Sequence, residues 1–176
     1  TGPGALTVGA ASTPIHERVL RDLQFGLGIG VLFRPFDKIQ TADFSSRGPT
    51  AAGGFKPNIS APGTELSAVQ LNTAAGGRAG LDVYWGTSMA APSATGAIAL
   101  LLDAAKRYNA LNPNSALPID ALTLRKVIIA SARPFDVTRF DPTTGESTRG
   151  QYTWIDQGLG MINLPRAWAS LKAERD

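Results

Sequence analysis

The sequence predicts an α/β layered domain, and three stretches predict it. Residues 5–10 alternate weakly around Leu6 and Val8 and read as a core strand, with "ELSAVQL" (residues 65–71) as a second strand. Residues 88–108 form a long run rich in Ala, Ile and Leu that reads as a largely buried helix. Two amphipathic segments, residues 15–24 and 120–132, supply further helices. Strands mixed with buried and amphipathic helices pack as layers.

Taken in order, "TGPGALTVGA" reads as a turn followed by the first strand, without the basic start and apolar middle of a signal peptide. In "IHERVLRDLQ", Ile15, Val19, Leu20 and Leu23 fall at helical spacing. "FGLGIGVLF" (residues 25–33) is apolar and broken by Gly, and is compatible with a strand, a flap or an interface. Residues 44–64 are almost wholly turn chemistry, with Gly48-Pro49, Gly53-Gly54, Lys56-Pro57 and Pro62-Gly63 as punctuation. A Gly-rich loop is expected at residues 73–80. The long helix emerges into solvent at Asp103, Lys106 and Arg107. Leu122, Leu124, Val127, Ile128 and Ile129 give the helix at 120–132 its apolar face. Residues 133–151 read as a polar surface loop, and "NLPRAWASLK" as a final helix with Asn163 as N-cap and Pro165 in its first turn.

Composition narrows the function classes. The chain has 176 residues, 43% hydrophobic and 18% charged, enough for one globular domain with a core. Its net charge of +3 is scattered with no basic stripe, which argues against nucleic-acid binding. It has no Cys, so disulfide frameworks and thiolate metal sites are excluded. No apolar stretch reads as long and clean enough to span a bilayer.

The stretch "WGTSMAAPSATGAIALLL" (residues 85–102) sets a small hydroxyl at the mouth of an apolar helix. As a structural feature, Thr87 or Ser88 would be an N-cap, with Pro92 in the first turn where a missing N–H costs little. The same geometry serves catalysis. A helix N-terminus offers unpaired N–H groups and partial positive charge, which stabilise an oxyanion formed beside a nucleophile. Gly86 lets the backbone turn tightly and a substrate approach closely. Geometry alone leaves both readings open.

Specific words decide between them. "GTSMAAP" (Gly86 to Pro92) resembles the nucleophile motif of the subtilisin-like serine proteases. "FSSRGP" (Phe44 to Pro49), "KPNISAPGT" (Lys56 to Thr64) and "QGLGMINLPRAW" (Gln157 to Trp168) are similar to further blocks of that family, in the family's order. "TGPGALTVGA" resembles the stretch that follows the family's oxyanion-hole Asn. The "FSSRGP" form and a long insertion at about residues 12–42 resemble the pyrolysin or tripeptidyl-peptidase II-like branches.

The resemblance implies a three-layer α/β fold with a mostly parallel sheet, of which residues 1–176 are the C-terminal part of one catalytic domain. It implies Ser88 as nucleophile, the Ser88 N–H as one oxyanion donor, and Gly86 and Thr87 as the loop flanking the leaving side of a peptide or protein substrate. The family's Asp, His and oxyanion Asn would lie upstream, supplied by an N-terminal part of the same domain or a second chain. This chain by itself is therefore expected to be inactive and prone to aggregate, since parallel sheets are normally covered on both faces. His16, the only His, lacks the family's neighbours and reads as a solvated helix residue. Asp37, Asp43, Asp82 and Asp156 read as turn or surface carboxylates. The resemblance allows calcium but singles out no site for it, and implies export, to the outside or the periplasm. The alternatives are a catalytically silent pseudoprotease or assembly module, and a sedolisin-type peptidase that pairs its "GTS" serine with carboxylates.

Overall fold

The computed structural model describes residues 4–33, 38–71, 78–140, 143–144 and 147–175. Its central layer is a short sheet in the order β2-β1-β3, from β1 (Val8–Ser12), β2 (Gln40–Thr41) and β3 (Ile59–Pro62). β1 and β3 run parallel, with Val8 opposite Ile59 and Ala10 opposite Ala61, and the Ser60–Met161 bridge continues the parallel direction. The two-residue β2 is antiparallel, pairing Ala11 with Thr41 and Ser12 with Gln40, and Arg133 bridges Met161 antiparallel at the other edge. The fold is α/β, as the sequence predicts.

Helix α3 (Thr87–Leu111) lies on β1 and β3, and α4 (Ala121–Ser131) and α6 (Leu164–Ala173) pack against each other and against α3. The core is where helices and sheet meet. Ala10, Ile59 and Ala61 from the sheet pack with Ala90, Ala94, Leu101 and Ala105 of α3, Val127 and Ile128 of α4, and Leu171 of α6. The small Ala residues at three of these α3 positions, Ala90, Ala94 and Ala105, let that helix lie close to the strands. Tyr108 and Trp168 close the helix layer edge to face, 5.9 Å apart. Asn109 fastens the chain beyond α3 by bonding both the N–H (2.7 Å) and the carbonyl (3.0 Å) of Leu117.

The segment 44–58 covers the other side of β1. The Ser45 hydroxyl accepts from the Ala10 N–H at 2.9 Å, and a Cβ at Gly9 would sit only 3.1 to 3.3 Å from the side chains of Pro57, Ser45 and Ser60. The closing strand position depends on buried Gln157, on α5 (Trp154–Gln157). Its side chain accepts from the Phe135 N–H and donates to the carbonyls of Tyr152 and Phe135, while the Ser60 hydroxyl donates to its backbone carbonyl. Gly160 follows at φ 107, where an added Cβ would collide with the Arg133 carbonyl.

Two hairpins complete the fold. β4 (Thr64–Leu71) pairs with β5 (Arg78–Trp85) from Thr64↔Trp85 to Leu71↔Arg78. β6 (Asp136–Phe140) pairs with β7 (Ser147–Gln151), which corrects the expectation of a plain surface loop at 133–151. The alternation of β-branched and larger residues in "DVTRF" is the missed signal. The loop expected at 73–80 lies outside the described residues up to 77, and Arg78 to Gly80 belong to β5.

The segment expected to be an insertion is helical: α1 (Pro14–Phe25) and α2 (Ile29–Phe33), joined by a turn at Gly26–Gly28. "FGLGIGVLF" is thus a turn and a helix rather than a strand. The Asp22 carboxylate accepts from the Gly30 N–H at 2.7 Å and fixes that turn.

The expectation of no membrane-length segment is corrected. α3 has 25 residues and a window of mean hydropathy 1.3, enough by length and composition to cross a membrane. Its inner face is built into the core against β1 and β3, the arrangement of a core helix.

Candidate active site

The expected site residues fall at the junction of β5 and α3. Strand β5 ends at Trp85, Gly86 turns the chain, and Thr87 begins the helix. Gly86 stands at φ 146, a conformation that side chains rarely adopt. Its N–H donates to the Gly63 carbonyl at 2.8 Å, and the Gly63 N–H donates to the Ala11 carbonyl at 2.9 Å. Two backbone bonds therefore hang the turn from strand β1.

The helix start has no side-chain cap. Met89 and Ala90 donate back to the Gly86 carbonyl at 3.1 and 3.3 Å. The N–H groups of Thr87 and Ser88 come before the first intrahelical donor and so have no helical acceptor, with the positive end of the helix dipole at their position. Thr87 and Ser88 are both exposed, and the Ser88 hydroxyl makes no hydrogen bond among the described residues. Gly86, Thr87 and Ser88 thus present a free hydroxyl beside undirected N–H donors, the arrangement that can hold an oxyanion.

One turn further on, Ser93 ties α3 to the hairpin. Its hydroxyl contacts the Glu65 carboxylate and donates to the Met89 carbonyl at 2.9 Å. Sequence reading passed over this pair because Glu65 and Ser93 sit on separate elements. Cavities flank the Trp85–Ser88 turn on two sides. One, about 280 Å³, is lined by Thr87 with Thr7, Arg47 and Pro49, and the other, about 390 Å³, by Trp85 with residues of α1.

The remaining candidates lie elsewhere. His16 is exposed on α1, its Nδ1 2.8 Å from the Thr13 hydroxyl. Asp156 forms the capping box of α5 with Thr153 and pairs with Arg47 at 3.2 Å. Asp43 lies 3.6 Å from Arg21. Asp82 is on β5, and Asp37 is outside the described residues. None of the described carboxylates or His16 hydrogen-bonds Ser88. Among the described residues no group of three or more His, Cys, Asp or Glu side chains could hold a metal ion.

Residues 2–161 match the model of the subtilase family, peptidase S8. The chain belongs to the subtilase family. It is 36% identical over 173 residues to pyrolysin of Pyrococcus furiosus, covering 96% of this chain and 11% of that protein. It is 29% identical over 181 residues to tripeptidyl-peptidase 2 of Arabidopsis thaliana, covering 100% of this chain and 11% of that protein. Both branches that the "FSSRGP" block resembles are therefore among its relatives. The solved structure of the prenylagaramide maturation protease PagA matches with a TM-score of 0.46 at 24% identity, over 75% of this chain and 38% of that one. The chain spans about a tenth of the length of these curated subtilase relatives.

Proposed function

We propose that this chain is the nucleophile-bearing part of a serine peptidase, with Ser88 as the attacking group. The observation that carries the reading is the uncapped, exposed start of α3. A free hydroxyl there stands beside N–H donors, on a turn held by the Gly86–Gly63 and Gly63–Ala11 bonds. In the reaction, Ser88 Oγ bonds to the peptide carbonyl carbon while its proton passes to a His supplied from outside these residues. The Ser88 N–H and an Asn, also supplied from outside, hold the oxyanion. The amine leaves with the proton from the His, and water releases the acyl group by the same steps in reverse order.

A further part of the same catalytic domain is the partner this requires. The outer side of α3 supports it: Leu100 is 64% exposed, and Gly96 and Ala99 beside it are exposed too. An apolar strip of that kind on a core helix fits a covering layer. Export, to the outside or the periplasm, belongs to the same reading and rests on the family resemblance.

Fluorophosphonate labelling of the full-length protein tests the proposal, with the labelled peptide located by mass spectrometry. Label on Ser88, abolished by Ser88→Ala, is the expected result. Turnover should fall on the order of 10⁶-fold in that variant, the scale of serine loss in a subtilisin triad. Absence of label from a protein that contains the Asp, His and Asn would favour a catalytically silent module. A strongly acidic optimum would favour the carboxylate-dependent alternative.

A further inference from the structure

The cavity on the Trp85 side of the turn joins the insertion to the candidate active site. Its walls come from α1 (Glu17, Leu20, Arg21), from Asp43 and Phe44, and from Trp85 of the hairpin. The subtilase motifs account for none of the α1 residues.

Its charges are unevenly committed. The Glu17 carboxylate is engaged by the Ser12 hydroxyl and lies 3.9 Å from the Arg21 guanidinium. Arg21 also bonds Gln24 at 3.3 Å and lies over the Phe33 ring, 5.2 Å from its centre. Asp43 is the outermost of the three charged groups, with its side chain 77% exposed and 3.6 Å from Arg21, beyond a normal hydrogen bond. Its other oxygen accepts from the Phe44 N–H at 2.8 Å, which fixes the carboxylate in place. The lining therefore holds two carboxylates to one guanidinium, next to the half-exposed faces of Phe44 and Trp85. Aromatic faces beside a fixed carboxylate suit a cation carried on an alkyl stem. A substrate carboxylate would instead be a third negative charge in the same space.

The cavity is also within reach of the chemistry. Trp85 is three residues before Ser88, a separation of at most about 10 Å along the chain, or two to three residues of extended peptide. We propose that this cavity is a substrate subsite that takes a Lys or Arg side chain close to the scissile bond, with Asp43 as its counter-ion and insertion helix α1 as its wall. The proposal rests on the peptidase reading of Ser88.

The test uses the full-length protein and a peptide set carrying Lys, Ala or Glu at each of three positions on either side of the cleaved bond. At one position Lys should be favoured over Ala in kcat/KM, through KM. Asp43→Asn should lower that preference by about three-fold, the scale of an exposed ion pair. Asp43→Lys should turn the preference toward Glu. Asp103→Asn, an exposed carboxylate on α3 outside the cavity, should leave the preference intact. Cleavage with no Lys preference at any position, or with one that Asp43→Lys does not alter, overturns the subsite and leaves the peptidase standing. Failure of every peptide together with failure of Ser88 to label overturns both.

Discussion

Helices α3 and α4 begin in opposite ways. At α4, Asp120 closes the helix: its carboxylate accepts from the N–H groups of Leu122 and Thr123, both at 3.0 Å. At α3, Gly86 occupies the equivalent position, contributes no side chain, and leaves the first N–H groups without a helical acceptor. The two helices share a core, so burial does not explain the contrast. A capped start spends its donors on its own chain, whereas an uncapped one keeps them for a ligand. The absent cap, as much as the serine, is what the proposed role of the α3 start rests on.

The strongest way to break the contrast is to close α3 as α4 is closed. Gly86→Asp places a carboxylate where the oxyanion would form and forces a side chain into φ 146. Labelling of Ser88 in the full-length protein should slow on the order of 10²-fold or more, the scale of a lost oxyanion donor. Unchanged labelling would mean that the α3 start is merely an unfinished helix end.

A second variant separates site from scaffold. Ile128 of α4 is wholly buried. Ile128→Ala should cost about 2–5 kcal/mol of stability. Below the lowered melting temperature it should leave the labelling rate of Ser88 unaltered. A slowed rate in the folded variant would show that the core under α4 positions the turn.

The smallest effect is at the capped start. The Thr123 backbone N–H, then the Thr123 hydroxyl and the Leu122 N–H, hold the Asp120 carboxyl below its ordinary value of 3.8. A depressed carboxylate contributes stability that is present above the unfolded pKa and lost as pH falls through the folded one. The full-length protein should therefore lose a little melting temperature from this group below about pH 4. Asp120→Asn keeps a capping oxygen and removes that dependence, which a melting series at pH 3 to 6 would detect.

How far the sequence reveals all this depends on how local each signal is. α4 and α6 are legible because their caps and apolar faces lie within one segment: Asp120 opens one, and Asn163 with Pro165 opens the other. The start of α3 is legible through the words around Ser88, and the helix runs only one residue earlier and three later than its pattern predicts. β1 begins at Val8 rather than Ala5 because its register is set by β3, which is remote in sequence. β3 itself sits in a block read as turns, since "ISAP" is a strand only by virtue of the partner it parallels. Gln157 reads as an ordinary polar residue before a Gly, yet it is buried and joins three segments. The cavity beside Trp85 needs α1, Asp43 and the hairpin in space together, and no single stretch encodes it.

One feature of the sheet bears on how such a molecule can change over evolution. The helical segment leaves β1 after Ser12 and returns at Gln40, and these two residues are direct partners in register. Its ends are thus already pinned side by side, as in a plug-in cassette. Residues 13–39 can be lengthened, shortened or exchanged at little loop-closure cost, without shifting the strand from which the Ser88 turn hangs. Relatives built on the same sheet are therefore free to rewrite one wall of this turn's surroundings wholesale while the turn itself stays in place.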